Sequence, residues 1–223
     1  MQNTGMRPVA KKRTTKEIVY NELRQAIFSG SISSDEILTE TMLADNLQTS
    51  RTPVREAVAS LISEGLLVHI PRKGFQVRKI TEGEKEQIMF LRTAIESEGL
   101  RKLAASVKSD QIKILRDIID EQKKAIVDNN KIEFIELDQK FHRQILKFSN
   151  QNVLSQILQD LYNLTRLIGH HALMKTGRME EVIVEHERVI NALERHDAEE
   201  AVGLMAEHLE RTKEIVKQNF GTK

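Results

Sequence analysis

The chain has 223 residues, of which 39% are hydrophobic and 30% are charged, the ordinary balance of a globular protein. The absence of cysteine excludes disulfides, thiolate metal sites and thiol nucleophiles, and an aromatic content of only 4% disfavours an all-β fold. No apolar run approaches the roughly 18 residues of a membrane span and no secretory signal is evident, so we expect a cytoplasmic protein without a membrane partner.

Charge is distributed unevenly along the chain. Residues 1–79 carry 12 Lys and Arg against 8 Asp and Glu, whereas residues 80–223 carry 22 against 25. A bias of this kind is expected where one domain binds a polyanion and the other does not, although its size decides little by itself. Residues 1–13 include the basic run Lys11-Lys12-Arg13 and lack periodicity. They are predicted to form a disordered basic arm, either solvated or in weak contact with phosphates.

Residues 14–79 are predicted to form a winged helix-turn-helix domain. The first helix begins at Thr14 with a capping box that Glu17 completes, and a second, short helix follows Thr39. A third helix has apolar residues at i, i+3, i+4, i+7 and i+8, which are Val54, Ala57, Val58, Leu61 and Ile62. Two short strands around the turn Pro71-Arg72-Lys73-Gly74 complete the domain as a hairpin, the wing.

The polar face of the third helix has the chemistry of a DNA-reading surface. Four residues near its N-terminal end supply guanidinium and hydroxyl groups, namely Ser50, Arg51, Thr52 and Arg55. Arginine reads guanine, hydroxyls bind phosphates or bases, and the free N–H groups at a helix N-terminus favour phosphate. At the tip of the wing, Arg72 and Lys73 would reach an adjacent groove or the DNA backbone. Alternatively, Arg51 and Arg55 are ordinary surface charges with Glu56 as an ion-pair partner, and residue types alone leave the two interpretations about equal.

Residues 80–223 are predicted to be helical throughout. A capping box at Thr81 opens the first helix, and further helices are expected at about 109–128, 131–149, 151–175, 178–195 and 198–219. Breaks are expected at Asn129-Asn130, Asn150, Gly177 and His196-Asp197. The predicted fold is therefore mainly α. A winged helix-turn-helix of three helices and a β-hairpin joins an all-α antiparallel bundle of six or seven helices.

Polar groups interrupt the apolar faces of three of these helices. Asp138 and His142 lie one turn apart within the stripe of helix 131–149, and His186 and His208 lie on the apolar stripes of two later helices. One carboxylate and three imidazoles converging on one point would suit Zn²⁺ or another divalent transition metal. A single inward histidine is more often a satisfied core residue than a ligand. Four aligned groups leave the metal site and the core interpretation about equal.

The N-terminal motifs resemble those of the GntR family of bacterial regulators. The resemblance lies in the run Ser50-Arg-Thr-Pro-Val-Arg-Glu-Ala57, in Glu64-Gly65-Leu66 and in the wing Lys73-Gly74-Phe75-Gln76-Val77, with Leu38-Thr39-Glu40 and Leu43-Ala44 before them. It implies DNA contact by Ser50, Arg51, Thr52 and Arg55, with Gly74 allowing the wing to approach the groove. Ser34-Asp35 replaces the usual Pro-Gly, and Gln48 replaces the usual Gly at the turn between helices. The second departure predicts a left-handed or altered turn that Gln tolerates poorly.

The C-terminal part, over about residues 81–215, resembles the metal-binding variety of the FCD ligand-binding domain. The resemblance lies in Asp138 and His142, the pair Glu185-His186, and His208 at 22 positions further on. It implies a helical bundle that holds a metal, with zinc expected and nickel or another divalent ion as alternatives, beside a cavity for a small organic acid. Arg92 is a candidate carboxylate clamp because guanidinium pairs bidentately with carboxylates, and Arg166 is a second candidate. Either arginine would otherwise form an ordinary salt bridge.

These features predict a DNA-binding transcription regulator, expected to be a repressor, whose operator affinity changes when an effector binds in the bundle. The short reading helix contacts too few base pairs for selectivity, so we expect a homodimer on a palindromic operator. The linker at Lys79-Ile80-Thr81 is where a change in the bundle would have to be transmitted. A metal-dependent hydrolase is the alternative, but no second inward-facing carboxylate is evident as a general base, so no enzymatic activity is expected. A third interpretation keeps the bundle with a purely structural polar cluster.

Overall fold

The computed structural model describes residues 13–172 and 176–220 of the chain. Most of the predicted arm, residues 1–12, lies outside the described residues, as does the end of the predicted helix 151–175. The elements in chain order are α1 Thr15–Phe28, α2 Glu40–Asn46, α3 Arg51–Ser63, β1 Leu67–Ile70, β2 Gly74–Val77, α4 Glu82–Ala104, α5 Ser109–Val127, α6 Lys131–Phe148, α7 Asn152–Ala172, α8 Arg178–Glu194 and α9 Ala198–Phe220. The predicted architecture is confirmed, with six bundle helices in the described part of the chain.

The winged domain is built around the packing of α1 on α3. Thr14 accepts a hydrogen bond from the Glu17 N–H and donates its own N–H to the Glu17 carboxylate, so the predicted capping box is present. The apolar stripes of the two helices are buried against each other, with Leu23 on α1 and Val54 and Leu61 on α3 almost fully enclosed. This packing leaves the opposite face of α3 exposed.

The wing is an antiparallel hairpin in which Leu67 pairs with Val77 and Ile70 pairs with Gly74. It is attached to the loop before α2, because Leu38 and Phe75 exchange two backbone hydrogen bonds of 2.8 Å. Gly74 makes this attachment possible. Its φ is +137°, and a Cβ at this position would lie 2.1 Å from the Leu38 carbonyl oxygen. The wing is therefore anchored to the domain through the first residues of β2, close to its turn.

The turn between α2 and α3 has the left-handed conformation that the sequence predicts. Gln48 has a φ of +48°, a region that a residue with a Cβ enters at a cost of roughly 1–2 kcal/mol. The predicted breaks between bundle helices are confirmed in the same way. Asn129, Asn150 and His196 have φ values of +51°, +57° and +56° and end their helices, as left-handed residues after a helix commonly do.

The bundle helices pack mainly as α4 on α9, α5 on α6 and α8, and α8 on α9. Buried aliphatic residues and phenylalanines from α4, α5, α6, α8 and α9 form a single large core. The predicted capping box at the start of α4 is present, since Thr81 and Glu84 exchange hydrogen bonds. None of the helices in the described part is long and apolar enough to cross a membrane.

The winged domain also contacts the bundle directly. Helix α7 packs against α1, and Leu167 covers the edge of the winged-domain core. Arg24 of α1 forms an ion pair of 3.5 Å with Glu136 of α6. The linker at residues 79–81 is thus not the only connection between the two parts, contrary to the sequence-based expectation.

Candidate metal centre and nucleic-acid interface

The N-terminal end of α3 presents the residues predicted to read DNA. Ser50 is the N-cap residue and makes no side-chain capping bond. Arg51, Thr52 and Arg55 are exposed on the side of the helix away from Val54 and the core. The described structure therefore brings these four side chains together on one surface next to free backbone N–H groups, the arrangement that suits a polyanion.

Glu40, the first residue of α2, joins the two arginines of this surface. Arg55 donates from Nε and from Nη2 to the two oxygens of the Glu40 carboxylate, both at 3.0 Å, and Arg51 Nη2 donates to Oε2 at 3.1 Å. Sequence reasoning assigned Glu56 as the alternative ion-pair partner and missed Glu40. The spacing of 11 and 15 residues crosses a turn, so helical periodicity carries no signal of this contact.

Arg72 and Lys73 are exposed at the tip of the wing. Arg72 has a φ of +64°, which turns the chain sharply at this point. The resemblance implied that Gly74 lets the wing approach a DNA groove, whereas the contact with Leu38 gives this glycine a role within the fold. Contact of these three residues with DNA stays a prediction.

The four predicted metal ligands converge in the bundle. Asp138 and His142 lie on α6, His186 on α8 and His208 on α9, and their ligand atoms all lie within 4.8 Å of one another. The three histidines are buried. Asp138, expected on the inward apolar stripe, is instead 22% exposed in its side chain and lines a cavity, because it lies at the margin of the core.

The orientation of two imidazoles fits metal binding through Nε2. His142 Nδ1 lies 2.5 Å from Glu96 Oε2, at an angle short of a good hydrogen bond, and His208 Nδ1 bonds to Glu185 Oε2 at 2.6 Å. Metal-bound histidines typically have their second nitrogen held by a carboxylate in this way. Among the described residues, Nε2 of His142 has no hydrogen-bond partner. A buried nitrogen without a hydrogen-bond partner is suited to coordinate a cation.

His186 is held by an aromatic ring instead of a carboxylate. Its Nε2 lies 3.7 Å from Asp138 Oδ1, and neither ring nitrogen has a hydrogen-bond partner within the described part of the chain. The imidazole stacks on Phe141, with ring centroids 4.2 Å apart and planes inclined by 13°. Phe141 thus sets the plane of this ring.

Burial and charge give these groups the protonation states that a metal site needs. Burial lowers the pKa of His186 well below its ordinary value, and the neighbouring cationic groups lower it further. Burial alone would raise the pKa of Glu96, but Arg92 and His142 outweigh it and lower that pKa to about 2. The pKa of Glu185 is likewise lowered to about 2, against burial, by His208 and Arg178. A neutral imidazole and ionised supporting carboxylates are the forms compatible with coordination.

A small cavity adjoins the ligand cluster. It is lined by Asp138 and His208 and by the predicted clamp Arg92, with apolar walls from residues that include Met89 and Phe134. Its volume is about 50 Å³. This is space for only a few waters, since one water needs roughly 10–15 Å³. A ligand that fits without rearrangement would therefore have few non-hydrogen atoms.

Two arginines line this cavity, and they differ in how fully their donors are used. Arg92 donates from Nε to Glu96 Oε1 at 2.9 Å, while its buried Nη2 has no hydrogen-bond partner among the described residues. Arg178, which sequence reasoning missed, bonds to both oxygens of Glu185 at 2.7 and 2.8 Å and to Thr212 at 3.1 Å. Arg92 therefore offers the free donor, whereas Arg178 supports Glu185.

Arg166 does not line this cavity, contrary to the role considered for it. Its guanidinium lies 5.2 Å from the ring centre of Phe28 in α1, and its Nε donates to Gln139 at 2.7 Å. It lines a separate groove between the winged domain and the bundle. Its position on α7 faces α1 because that helix packs against both the bundle and the winged domain.

The expectation that no second inward-facing carboxylate exists is wrong. Glu96 and Glu185 are both buried, and each is paired with an arginine and a histidine. Glu96 lies four residues after Arg92 on one helix, a spacing visible in the sequence. The Glu185–Arg178 contact has a spacing of seven residues on α8, which also lies on one face of a helix.

Family models match both parts of the chain. Residues 15–77 match the bacterial regulatory proteins of the gntR family, and residues 87–211 match the FCD domain. The HTH-type transcriptional regulator YdhC of Bacillus subtilis (strain 168) is 29% identical over 204 residues, with 89% of both chains covered. The gluconate operon transcriptional repressor of Bacillus licheniformis is 30% identical over 79% of this chain and 74% of that protein.

A solved structure of E. coli McbR/YncC has the same fold. It superposes with a TM-score of 0.76 at 21% identity, over 94% of this chain and all of that one. The two matching family models, and not this superposition, define a two-domain transcription regulator in which a winged helix-turn-helix joins a helical bundle. The chain belongs to the GntR family of bacterial transcriptional regulators and carries an FCD domain. The matching families and relatives are regulators and not enzymes.

Proposed function

We propose that this protein is a homodimeric repressor that binds a palindromic operator through α3 and the wing, and responds to a small organic acid bound beside a divalent metal in the bundle. The observation that carries the sensing part is the convergence of Asp138, His142, His186 and His208 beside a cavity that Arg92 also lines, with an Nη2 that has no hydrogen-bond partner among the described residues. The exposed polar end of α3 supports the DNA-binding part.

In this proposal, Arg51 and Arg55 read base edges in the major groove. Ser50 and Thr52 bind phosphates or bases beside them, and Arg72, Lys73 and Gly74 bring the wing to the neighbouring backbone. An arginine that pairs with guanine contributes about 1–3 kcal/mol of discrimination. One helix covers only a few base pairs, so a second copy of the chain is required for selectivity.

A duplex selected from a random pool by the wild-type protein provides the DNA for a test. We expect Arg55→Ala and Arg51→Ala each to weaken binding to this duplex by about tenfold or more in a fluorescence-anisotropy titration, since each removes a base-reading group. Sedimentation should give the same dimer mass for both variants and the wild type. Unchanged affinity in the variants would contradict the assignment of α3, and a monomeric wild type would contradict the dimer.

Exposed apolar residues on two neighbouring helices support a dimer formed by the bundle. Phe90 on α4 is 72% exposed and Val153 on α7 is 74% exposed, and Leu91 and Ile157 of the same helices are also exposed. The two helices pack against each other. Exposed large apolar side chains can indicate an interaction site, and a second copy of the chain that packs on these two helices would cover them.

The metal would be zinc, with nickel or another divalent ion as alternatives, because one carboxylate and three imidazoles form a nitrogen-rich set that first-row metals favour. When bound, it supplies a Lewis-acid position to which carboxylate or hydroxyl oxygens of an effector can bind. The chain itself holds the effector carboxylate with Arg92 Nη2 and excludes larger ligands by the size of the cavity.

The metal site can be tested without knowledge of the effector. We expect elemental analysis of protein purified without chelator to give about one transition-metal ion per chain. EDTA should lower the melting temperature, and Zn²⁺ should restore it, because a ligand that binds the native state stabilises it. A metal-free protein whose melting temperature is insensitive to EDTA and to added Zn²⁺ would favour a purely structural polar cluster.

A further inference from the structure

An acidic side chain, Glu40, lies against the two arginines of the proposed DNA-reading surface. Glu40 is only 18% exposed in its side chain and lies against Arg51 and Arg55, which are 61% and 64% exposed. A carboxylate at this surface repels phosphates and weakens binding to any DNA sequence. The hydrogen bond from Arg55 lowers the pKa of Glu40, so this negative charge is present at neutral pH.

The geometry of the contact leaves one edge of Arg55 free. Glu40 accepts from Nε and from Nη2 of Arg55. The remaining donors are the two hydrogens of Nη1 and one hydrogen of Nη2. These donors form the end-on edge of the guanidinium, which matches the O6 and N7 acceptors of guanine. The carboxylate therefore occupies the side of Arg55 that guanine does not need.

The contact also limits the freedom of long exposed side chains. An exposed arginine side chain that is free to rotate loses rotamer entropy when it binds, and this loss weakens binding. Arg55 is held by two hydrogen bonds before DNA arrives, and Arg51 by one to the same Glu40 oxygen. The two guanidiniums are therefore preorganised as a pair.

We propose that Glu40 is a positioning residue that fixes the guanidiniums of Arg51 and Arg55 for base reading. Glu40 thereby raises the specificity of the protein for its operator at the expense of its affinity for other DNA. This inference rests on the proposed DNA-binding role of α3, and it makes a prediction about sign. Removal of a nearby negative charge should strengthen binding to unrelated DNA but weaken binding to the operator.

The test compares Glu40→Gln and Glu40→Asp with the wild type. Dissociation constants are measured for the duplex selected by the wild-type protein and for a scrambled duplex of equal composition, at one salt concentration. We expect both variants to bind the selected duplex about tenfold more weakly, as expected for loss of one well-placed arginine contact. Glu40→Gln should bind the scrambled duplex as tightly as the wild type or more tightly. Glu40→Asp retains the charge, so its loss of specificity cannot be attributed to charge removal.

Two controls complete the experiment. Glu36→Gln removes an exposed glutamate four residues earlier in the chain and should leave the ratio of the two dissociation constants unchanged. Glu40→Gln added to Arg55→Ala should cost little beyond Arg55→Ala alone, because the two residues act through one contact. Melting temperatures of all variants should stay close to that of the wild type, since exposed ion pairs contribute little to stability.

The outcomes separate this inference from the proposed function. If Glu40→Gln binds both duplexes more tightly, or if the Glu40 and Arg55 substitutions are additive, Glu40 acts only through its charge and the inference is overturned. If the wild type selects no sequence from the random pool, the proposed function fails before Glu40 is tested. Repeating the selection with Glu40→Gln should relax the same base position as Arg55→Lys, and relaxation elsewhere would also overturn the inference.

Discussion

His186 differs from the other two histidines of the proposed metal site, His142 and His208, in how its ring is held. His142 and His208 each have a carboxylate beside Nδ1, whereas His186 has Phe141 stacked on its face. A stacked ring restrains the plane of an imidazole but, unlike a carboxylate, accepts no hydrogen bond from its N–H group. His186 is therefore the ligand whose position depends most on apolar packing.

We predict that Phe141→Leu weakens Zn²⁺ binding by about tenfold. Loss of a residue that orients a metal ligand typically weakens metal binding by about 10- to 100-fold, and this is the lower end of that range. The reason is that His186 loses the surface that fixes its plane. Competition with a chromophoric chelator measures the affinity, and the ligand-field spectrum of the Co²⁺ form reports the geometry. Phe141→Tyr keeps the stacked ring and should keep the spectrum.

Phe148→Leu is the matched control, because Phe148 packs against the same core from the end of α6. Its Zn²⁺ affinity and Co²⁺ spectrum should equal those of the wild type. Equal Zn²⁺ affinities for Phe141→Leu and the wild type would show that the stacking has no role in binding.

The buried network around the metal cluster also marks the limit of prediction from single residues. Asp138, His142, His186 and His208 were identifiable because each interrupts an apolar stripe within its own helix. The contact of Glu96 with His142 could not be predicted, because it joins α4 to α6. Contacts of this kind depend on how helices pack, and no period within one helix encodes them.

At the scale of elements, two turns of the winged domain have opposite requirements. Gly74 occupies a conformation that only glycine adopts easily, in contact with the Leu38 carbonyl. Gln48 occupies a left-handed conformation that glycine would adopt at less cost. The sequence revealed both positions, since one follows the family pattern and the other departs from it.

We predict that Gly74→Ala destabilises the protein by about 2 kcal/mol or more, within the range for such strained conformations. Gln48→Gly should stabilise it by about 0.5–1 kcal/mol, the strain relieved less the entropy that glycine adds to the unfolded chain. Urea unfolding followed by circular dichroism measures both changes. Gly83→Ala is a suitable control, because a Cβ there meets nothing within 4 Å. An unchanged free energy of unfolding for Gly74→Ala would contradict the anchoring of the wing to Leu38. A loss of stability in Gln48→Gly would contradict a strained turn between α2 and α3.

Helix positions were predictable to within a few residues for a physical reason. Apolar residues recur on one face of the bundle helices, and left-handed Asn129, Asn150 and His196 end three of these helices. The order of elements follows from the same pattern. The attachment of Phe75 to Leu38 did not follow from it, because that bridge joins segments almost 40 residues apart.

At the scale of the whole molecule, the contact between the winged domain and the bundle decides how a signal can travel. Gln139 is the residue after Asp138, a proposed metal ligand, and lines the cavity. Its Oε1 accepts from Arg166 Nε at 2.7 Å, and the Arg166 guanidinium lies over Phe28 of α1. A shift of α6 on ligand binding would thus reach α1 through two side chains. The sequence could not predict this connection, because it requires the relative placement of two domains.

We predict that Arg166→Met removes the effect of Zn²⁺ on DNA affinity and leaves the proposed metal site intact. The measured quantity is the ratio of dissociation constants for the selected duplex with Zn²⁺-loaded and with EDTA-treated protein. Allosteric coupling of ordinary strength changes such a ratio by about 5- to 150-fold. We expect a ratio in this range for the wild type and a ratio near one for Arg166→Met, with Zn²⁺ affinity unchanged in the absence of DNA.

Arg143→Met provides the comparison, since Arg143 also joins α6 to α7, through a hydrogen bond of 3.0 Å to Gln159. It should keep the wild-type ratio. Because coupling is reciprocal, Zn²⁺ affinity measured with and without the duplex must change by the same factor as the DNA affinity. A wild-type ratio of one would mean that metal binding does not reach the DNA-binding surface. An Arg166→Met variant with the full wild-type ratio would mean that the signal does not pass through Arg166. The remaining connections include the linker at Lys79-Ile80-Thr81 and the ion pair between Arg24 and Glu136.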